Sequence, residues 1–132
     1  MNTDSDKATT DQPHGELVTR TLAMPSDANP SGDIFGGWVL SQMDIAGGIT
    51  ASQHSKGRVA TVAIDAMAFI RPVNVGDVLC VYGNIKRTGR TSMSIHIEAW
   101  ALRDRIGERV KVTEGLFTFV AIDSEGVPRP LP

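Results

Sequence analysis

Apolar and polar positions divide the chain into one long unbroken run and a series of alternating ones. Residues 34–55, IFGGWVLSQMDIAGGITASQHS, hold one residue fully charged at neutral pH, Asp44. That length and apolar content suit a helix hidden inside a small domain, since a surface helix shows a charged face. His54, Ser55, Lys56 and Gly57 close it with a cation and a glycine. Ahead of it, residues 16–24 alternate as a first strand, and PSDANPSGD at 25–33 is loop. After it, RVATVAIDAMAFIRPV at 58–73 is β-branched and apolar on both alternating faces. That pattern predicts a long strand in the middle of a sheet, covered on both sides. A strand and a basic turn follow over 77–91. Residues 92–104 put Met93, Ile95, Ile97 and Ala99 on one face and Ser94, His96, Glu98 and Trp100 on the other. A turn at 106–108 leads to a last strand over 109–122 and a proline-stiffened end.

One strand, one helix and four strands joined by tight turns predict an antiparallel sheet of about five strands wrapped around a long central helix. The fold class is α+β. Residues 1–14 are polar and without period, the pattern of a disordered tail, and 15–132 form one domain.

Composition narrows the function. At 41% hydrophobic and 21% charged, with net charge −2, the chain is no bulk-electrostatic nucleic-acid binder. The one cysteine, Cys80, excludes an internal disulfide and reads as a small buried hydrophobe. No apolar run of membrane-spanning length occurs, and the N-terminus has no signal-peptide core, so a cytoplasmic location is expected.

Asp44 carries the chemical interest. On a helix its same-face neighbours are Leu40, Ser41, Gly47 and Gly48, and a carboxylate among them calls for a compensating role. Gly36 and Gly37 fall at the helix start, where free N–H groups and the dipole attract anions and polarised carbonyls. Gly47 and Gly48 lie mid-helix at about 1 kcal/mol each relative to alanine, which predicts the close approach of another backbone or a ligand. Asn29 either shapes the turn before Pro30 or offers its amide to a ligand. Asp65 is a second carboxylate or a structural one. His96 and Glu98 share a face, but two groups make no metal site and no third ligand has suitable spacing, so no metal is expected. His14 and His54 do not read as catalytic, and Trp38 and Trp100 read as packing residues. Ser41 has no histidine near it in sequence for a triad.

The run from Asn29 through Gly32, Phe35, Gly36, Gly37 and Trp38 to Asp44 resembles the signature of hotdog-fold acyl-CoA thioesterases of the bacterial YciA type. Residues 65–77 with Asp65, Phe69, Pro72, Gly76 and Asp77, the turn Gly89 to Ser92, and the ending from Val120 to Pro132 agree. Pro30 and Ser31 depart from the pattern without changing its spacing. The resemblance implies a homodimer, assembled further as a trimer of dimers, with Asn29 of one subunit facing Asp44 of the other. It implies hydrolysis of an acyl-CoA to a carboxylic acid and free coenzyme A, without a cofactor. Asp44 would be general base or nucleophile, and the amides of Gly36 and Gly37 the oxyanion hole. Coenzyme A phosphates would fall to Lys86, Arg87 and Arg90 with Gly89, Thr91 and Ser92, and second to Arg58. A hotdog hydratase would want a histidine beside Asp44, and His54 lies nearly three turns away. A non-catalytic acyl-CoA sensor would want a DNA-binding segment, and the sequence offers none.

Overall fold

The computed structural model describes residues 12–65 and 67–132. Strand β1 (Glu16–Leu22) precedes helix α1 (Gly36–Ser55), and β2 (Val59–Ile64), β3 (Val78–Thr88), β4 (Ser92–Leu102) and β5 (Arg109–Ala121) follow. The five strands form one antiparallel sheet in the order β1-β3-β4-β5-β2. The short turns after β3 and β4 make their partners antiparallel neighbours, as the pattern predicts. Residues 1–11 of the predicted tail lie outside the described residues. Gln12 and His14, at its end, contact the sheet: Arg109 donates to Gln12 Oε1, and His14 meets Glu98.

The inward faces of β3, β4 and β5 supply Leu79, Val81, Met93, Ile95, Ile97, Phe117 and Phe119, which pack on Val39, Met43, Ala46 and Ala51 of α1. The helix is buried along that stripe alone. The sheet wraps one side of the helix, as the pattern predicts, and leaves the other open: Ile45 and Ile49, on that opposite side, are 51% and 39% exposed. The even spread of apolar residues around α1 reflects a second surface that the chain leaves uncovered.

The central-strand expectation for residues 58–73 is corrected. Only 59–64 form a strand, and β2 lies at the sheet edge, paired with β5 alone and bulged between Thr61 and Ala63. Val62 and Ile64 are largely exposed. Past Ile64 the backbone follows β5 without a regular ladder, through Asp65 N–H to Leu116 O and Ile70 N–H to Val112 O, until Pro72. Apolar residues on both faces signal cover on both sides, but not that the cover comes from the same chain.

The two mid-helix glycines separate. A Cβ on Gly47 would stand 2.5 Å from Ile97 Cδ1 and 2.8 Å from the Phe119 ring, whereas one on Gly48 meets that ring only at 4.0 Å. Gly47 is therefore needed for close packing of helix on sheet, and what approaches it is side chain rather than backbone or ligand. The helix ends with Lys56 itself in the left-handed conformation (φ 60°), ahead of Gly57. The Arg129 guanidinium donates to Ser55 O and to Ile122 O, both at 3.0 Å, placing a cation at the negative end of the helix dipole.

On the outer sheet face Trp100 is buried, donating its indole N–H to Glu98 Oε1 at 2.9 Å beneath the Arg109 guanidinium. Cys80 is buried as a free thiol. The register also sets Glu114 directly across from Glu98. That places, from the neighbouring strand, a third group of metal-ligand type beside His96 and Glu98, which spacing along β4 did not reveal.

Candidate active site

The loop before α1 is held by its own side chains. Asn29 Oδ1 accepts the N–H groups of Ser31 and Asp33, both at 3.0 Å, and Asn29 N–H donates to Asp33 O at 2.7 Å. This ties the loop into the isolated pairing of Ala28 with Ile34 that aims the chain into the helix. The turn-shaping role of Asn29 is thus present, and it leaves the amide NH2 as the part of that side chain available to a ligand.

Phe35 caps the helix without a side-chain hydrogen bond, and its carbonyl accepts from Trp38 and Val39. The amides of Gly36 and Gly37 are then orphan donors at the positive end of a 20-residue helix. Nothing lies within 4 Å of a Cβ position on Gly37, while Gly36 looks onto the Phe69 ring at 3.5 Å. A cavity of about 410 Å³ opens there, lined by Gly36, Gly37, Leu40, Ile64, Met67 and Phe69, with Asp65 at its wall. A second, of about 340 Å³, lies on the other side of Phe69 against Ile34, Val39, Ile70 and Val112. Apolar walls meeting unpaired N–H groups suit an acyl chain whose carbonyl oxygen needs donors.

Asp44 continues the helix face of Gly37 and Leu40 and is half-buried. Its Oδ1 accepts the Thr61 hydroxyl at 2.6 Å. Thr61 is the lone polar residue of β2, and the bulge that follows it breaks the strand's pairing with β5. A single hydroxyl in an otherwise apolar strand was the sequence signal for this partner. Asn29 and Asp44 do not meet within one chain: the hydrogen bonds of Asn29 stay in its own loop and that of Asp44 goes to β2. Seven residues at 1.5 Å each also set Asp44 about 10 Å along the axis from Gly37.

The basic candidates gather at the opposite end of α1. Ala121 N–H donates to Thr91 O and Ile122 N–H to Arg58 O, so Arg58 and Thr91 flank the end of β5. Arg90 O accepts from Leu131, and the Arg58 guanidinium donates to Asp123 O. Gly89 closes the β3–β4 turn through its N–H to Ser92 O at 2.8 Å, and Lys86 and Arg87 are exposed at the end of β3. Hydrogen bonds from the N–H groups of Val127 and Glu125, with Arg58 and Arg129 nearby, hold the Asp123 carboxyl below its ordinary range. His54 is exposed at the helix end, away from Asp44. Among the described residues no helix is long and apolar enough to cross a membrane.

Known proteins resemble this chain in sequence and fold. The description of the Thioesterase superfamily matches residues 31–108. The acyl-CoA thioester hydrolase YciA of Escherichia coli (strain K12) is 55% identical over 123 residues, covering 91% of this chain and 93% of its own. The crystal structure of the hexameric thioesterase y2039 from Yersinia pestis is 54% identical with a TM-score of 0.88, over 92% of this chain and 98% of that one. HI0827, a hexameric broad-specificity acyl-coenzyme A thioesterase, is 51% identical with a TM-score of 0.88, over 92% and 84%. Fold, matched span and identity agree, and the chain belongs to the thioesterase superfamily, as a hotdog-fold member of the YciA family of acyl-CoA thioester hydrolases.

Proposed function

We propose that this chain hydrolyses acyl-CoA thioesters to a carboxylic acid and free coenzyme A, with each active site built from two copies of the chain. The observation that carries the reading is the separation of the site's two halves. The donors at Gly36 and Gly37 and the carboxylate of Asp44 lie on one helix face about 10 Å apart, too far to act on one carbonyl carbon. A second copy packed against the exposed side of α1 and the edge of β2 brings Asp44 of one chain to the helix N-terminus of the other. It also covers Ile45, Ile49, Val62 and Ile64. The hexameric relatives support such self-association, and three dimers of this kind make a hexamer.

In that setting the thioester carbonyl lies against the Gly36 and Gly37 amides, which stabilise the oxygen as it gains charge; one such donor is worth roughly 3 to 4 kcal/mol in acyl transfer. Asp44 either takes a proton from the attacking water or attacks the carbonyl carbon itself, giving an anhydride that water then opens. Both routes expel the coenzyme A thiolate. The Asn29 amide NH2 orients the water or the carbonyl, and Thr61 fixes the carboxylate rotamer. About 16 Å of helix separates Asp44 from Ser55. A pantetheine arm spans a distance of that order, which would bring the phosphates to Arg58, Arg90 and Thr91, with Lys86 and Arg87 at the end of β3 and Gly89 and Ser92 at the turn into β4. Coenzyme A enters as part of the substrate, and no step calls for a further cofactor.

The test is thiol release from a panel of acyl-CoAs. Turnover supports the reading. Tight binding of acyl-CoA without release points instead to a sensor, and water addition to an enoyl-CoA without release points to a hydratase, although a threonine rather than a histidine faces Asp44.

A further inference from the structure

The outer face of the sheet, opposite the helix, carries a second cluster of reactive groups. Glu98 is fully buried there, and a buried carboxylate costs several kcal/mol unless strongly partnered. Its Oε1 is satisfied by the Trp100 indole N–H at 2.9 Å and the His14 backbone N–H at 3.3 Å. Its Oε2 faces two imidazoles, with His14 Nδ1 at 3.0 Å and His96 Nδ1 at 3.7 Å. Glu114 lies directly across in the ladder, a like-charge pairing that an antiparallel sheet ordinarily avoids. Its Oε1 is 2.8 Å from His96 Nε2 and 2.9 Å from Lys111 Nζ.

We infer that His96, Glu98 and Glu114, with His14 as a fourth donor, form a binding site for a divalent transition ion of the zinc type. One donor atom each from His96, Glu98 and Glu114 fall within 4.8 Å of one another. Donors around a tetrahedral zinc stand about 3.4 Å apart, so these three must draw together, and His14, whose exposed ring already meets Glu98, must swing in to complete the shell. Two imidazoles and two carboxylates are the nitrogen and oxygen set that zinc accepts, and their two negative charges match its two positive ones. The Trp100 indole fixes the inner carboxylate from behind, as outer-shell groups do around metal ligands. Lys111 is the competing cation; its flexible stem lets it leave the half-exposed Glu114 when the ion binds. The site joins the segment before β1 to β4 and β5, and it stands apart from Asp44 and the helix, so it is structural rather than hydrolytic.

The test uses the full chain, stripped with a chelator and titrated with Zn²⁺ by calorimetry and with Co²⁺ by visible absorption. One ion per chain is expected, with affinity lowered at least about tenfold by Glu114→Gln and by His96→Gln, and unchanged by His54→Gln. Glu114 is half exposed, so E114Q decides the matter should H96Q fail to fold. Binding that keeps full affinity in E114Q, or stoichiometry well below one ion per chain, overturns the site.

Discussion

The Thr61 hydroxyl donates to Asp44 Oδ1 at 2.6 Å, a link from the edge strand to the middle of the helix. It fixes which carboxylate oxygen stays free for chemistry. A hydrogen bond to a charged group is worth about 1.5 to 3 kcal/mol, or one to two powers of ten in rate if it acts in the transition state. Thr61→Val, which keeps the shape and drops the hydroxyl, is expected to lower kcat about tenfold or more with KM little changed, and Thr61→Ser to restore it. Steady-state kinetics on both variants checks this; a valine variant with parental kcat removes Thr61 from the mechanism.

A site shared between chains makes a distinct prediction. Asn29→Ala and Asp44→Ala proteins are each expected to be nearly inactive. Co-assembled, they form mixed dimers in which one of the two sites escapes both substitutions, so about a quarter of parental activity returns at equal mixing. No recovery on unfolding and reassembling the mixture would place all the groups in one chain.

The helix glycines differ in stability terms. Gly47→Ala drives a methyl into Ile97 and Phe119, an overpacking that costs about 1 to 3 kcal/mol and outweighs the gain of up to about 1 kcal/mol in helix propensity. Gly48→Ala meets only the Phe119 ring edge at 4.0 Å. Thermal denaturation of the two variants should show the larger loss at Gly47. Equal melting temperatures would mean that the helix seats on the sheet without needing that glycine.

Phosphate recognition by Arg58 and Arg90 separates binding from chemistry. Both arginines are exposed, so replacing either with alanine is expected to raise KM for acyl-CoA several-fold, up to about tenfold, with kcat held. The same variants should treat acyl-N-acetylcysteamine, which lacks the nucleotide, like the parent. A matching rise in KM on that truncated thioester would mean that the arginines act on the fold.

Much of this was legible beforehand because local patterns carried it. The alternation of Met93, Ile95 and Ile97 located β4 and its inward face, and the glycines at 36 and 37 marked the helix start. What stayed hidden was relational. Apolar residues on both faces of 59–64 predict cover, but a strand buried by its own sheet and one awaiting a second copy read alike, so β2 was placed centrally. Glu114 stands opposite Glu98 through pairing between strands, and Thr61 meets Asp44 where the edge strand lies against the helix; spacing along one strand reports neither relation. Arg129 reaches the helix end from 74 positions away in sequence, a contact no local signal announces.

The hydrolytic reading stands on Asp44, and the most direct measurement is kcat for thiol release by Asp44→Ala protein whose assembly and melting temperature match the parent. A fall of at least about a hundredfold is predicted, the contribution of a positioned base or nucleophile. A turnover within about twofold of the parent would contradict the account.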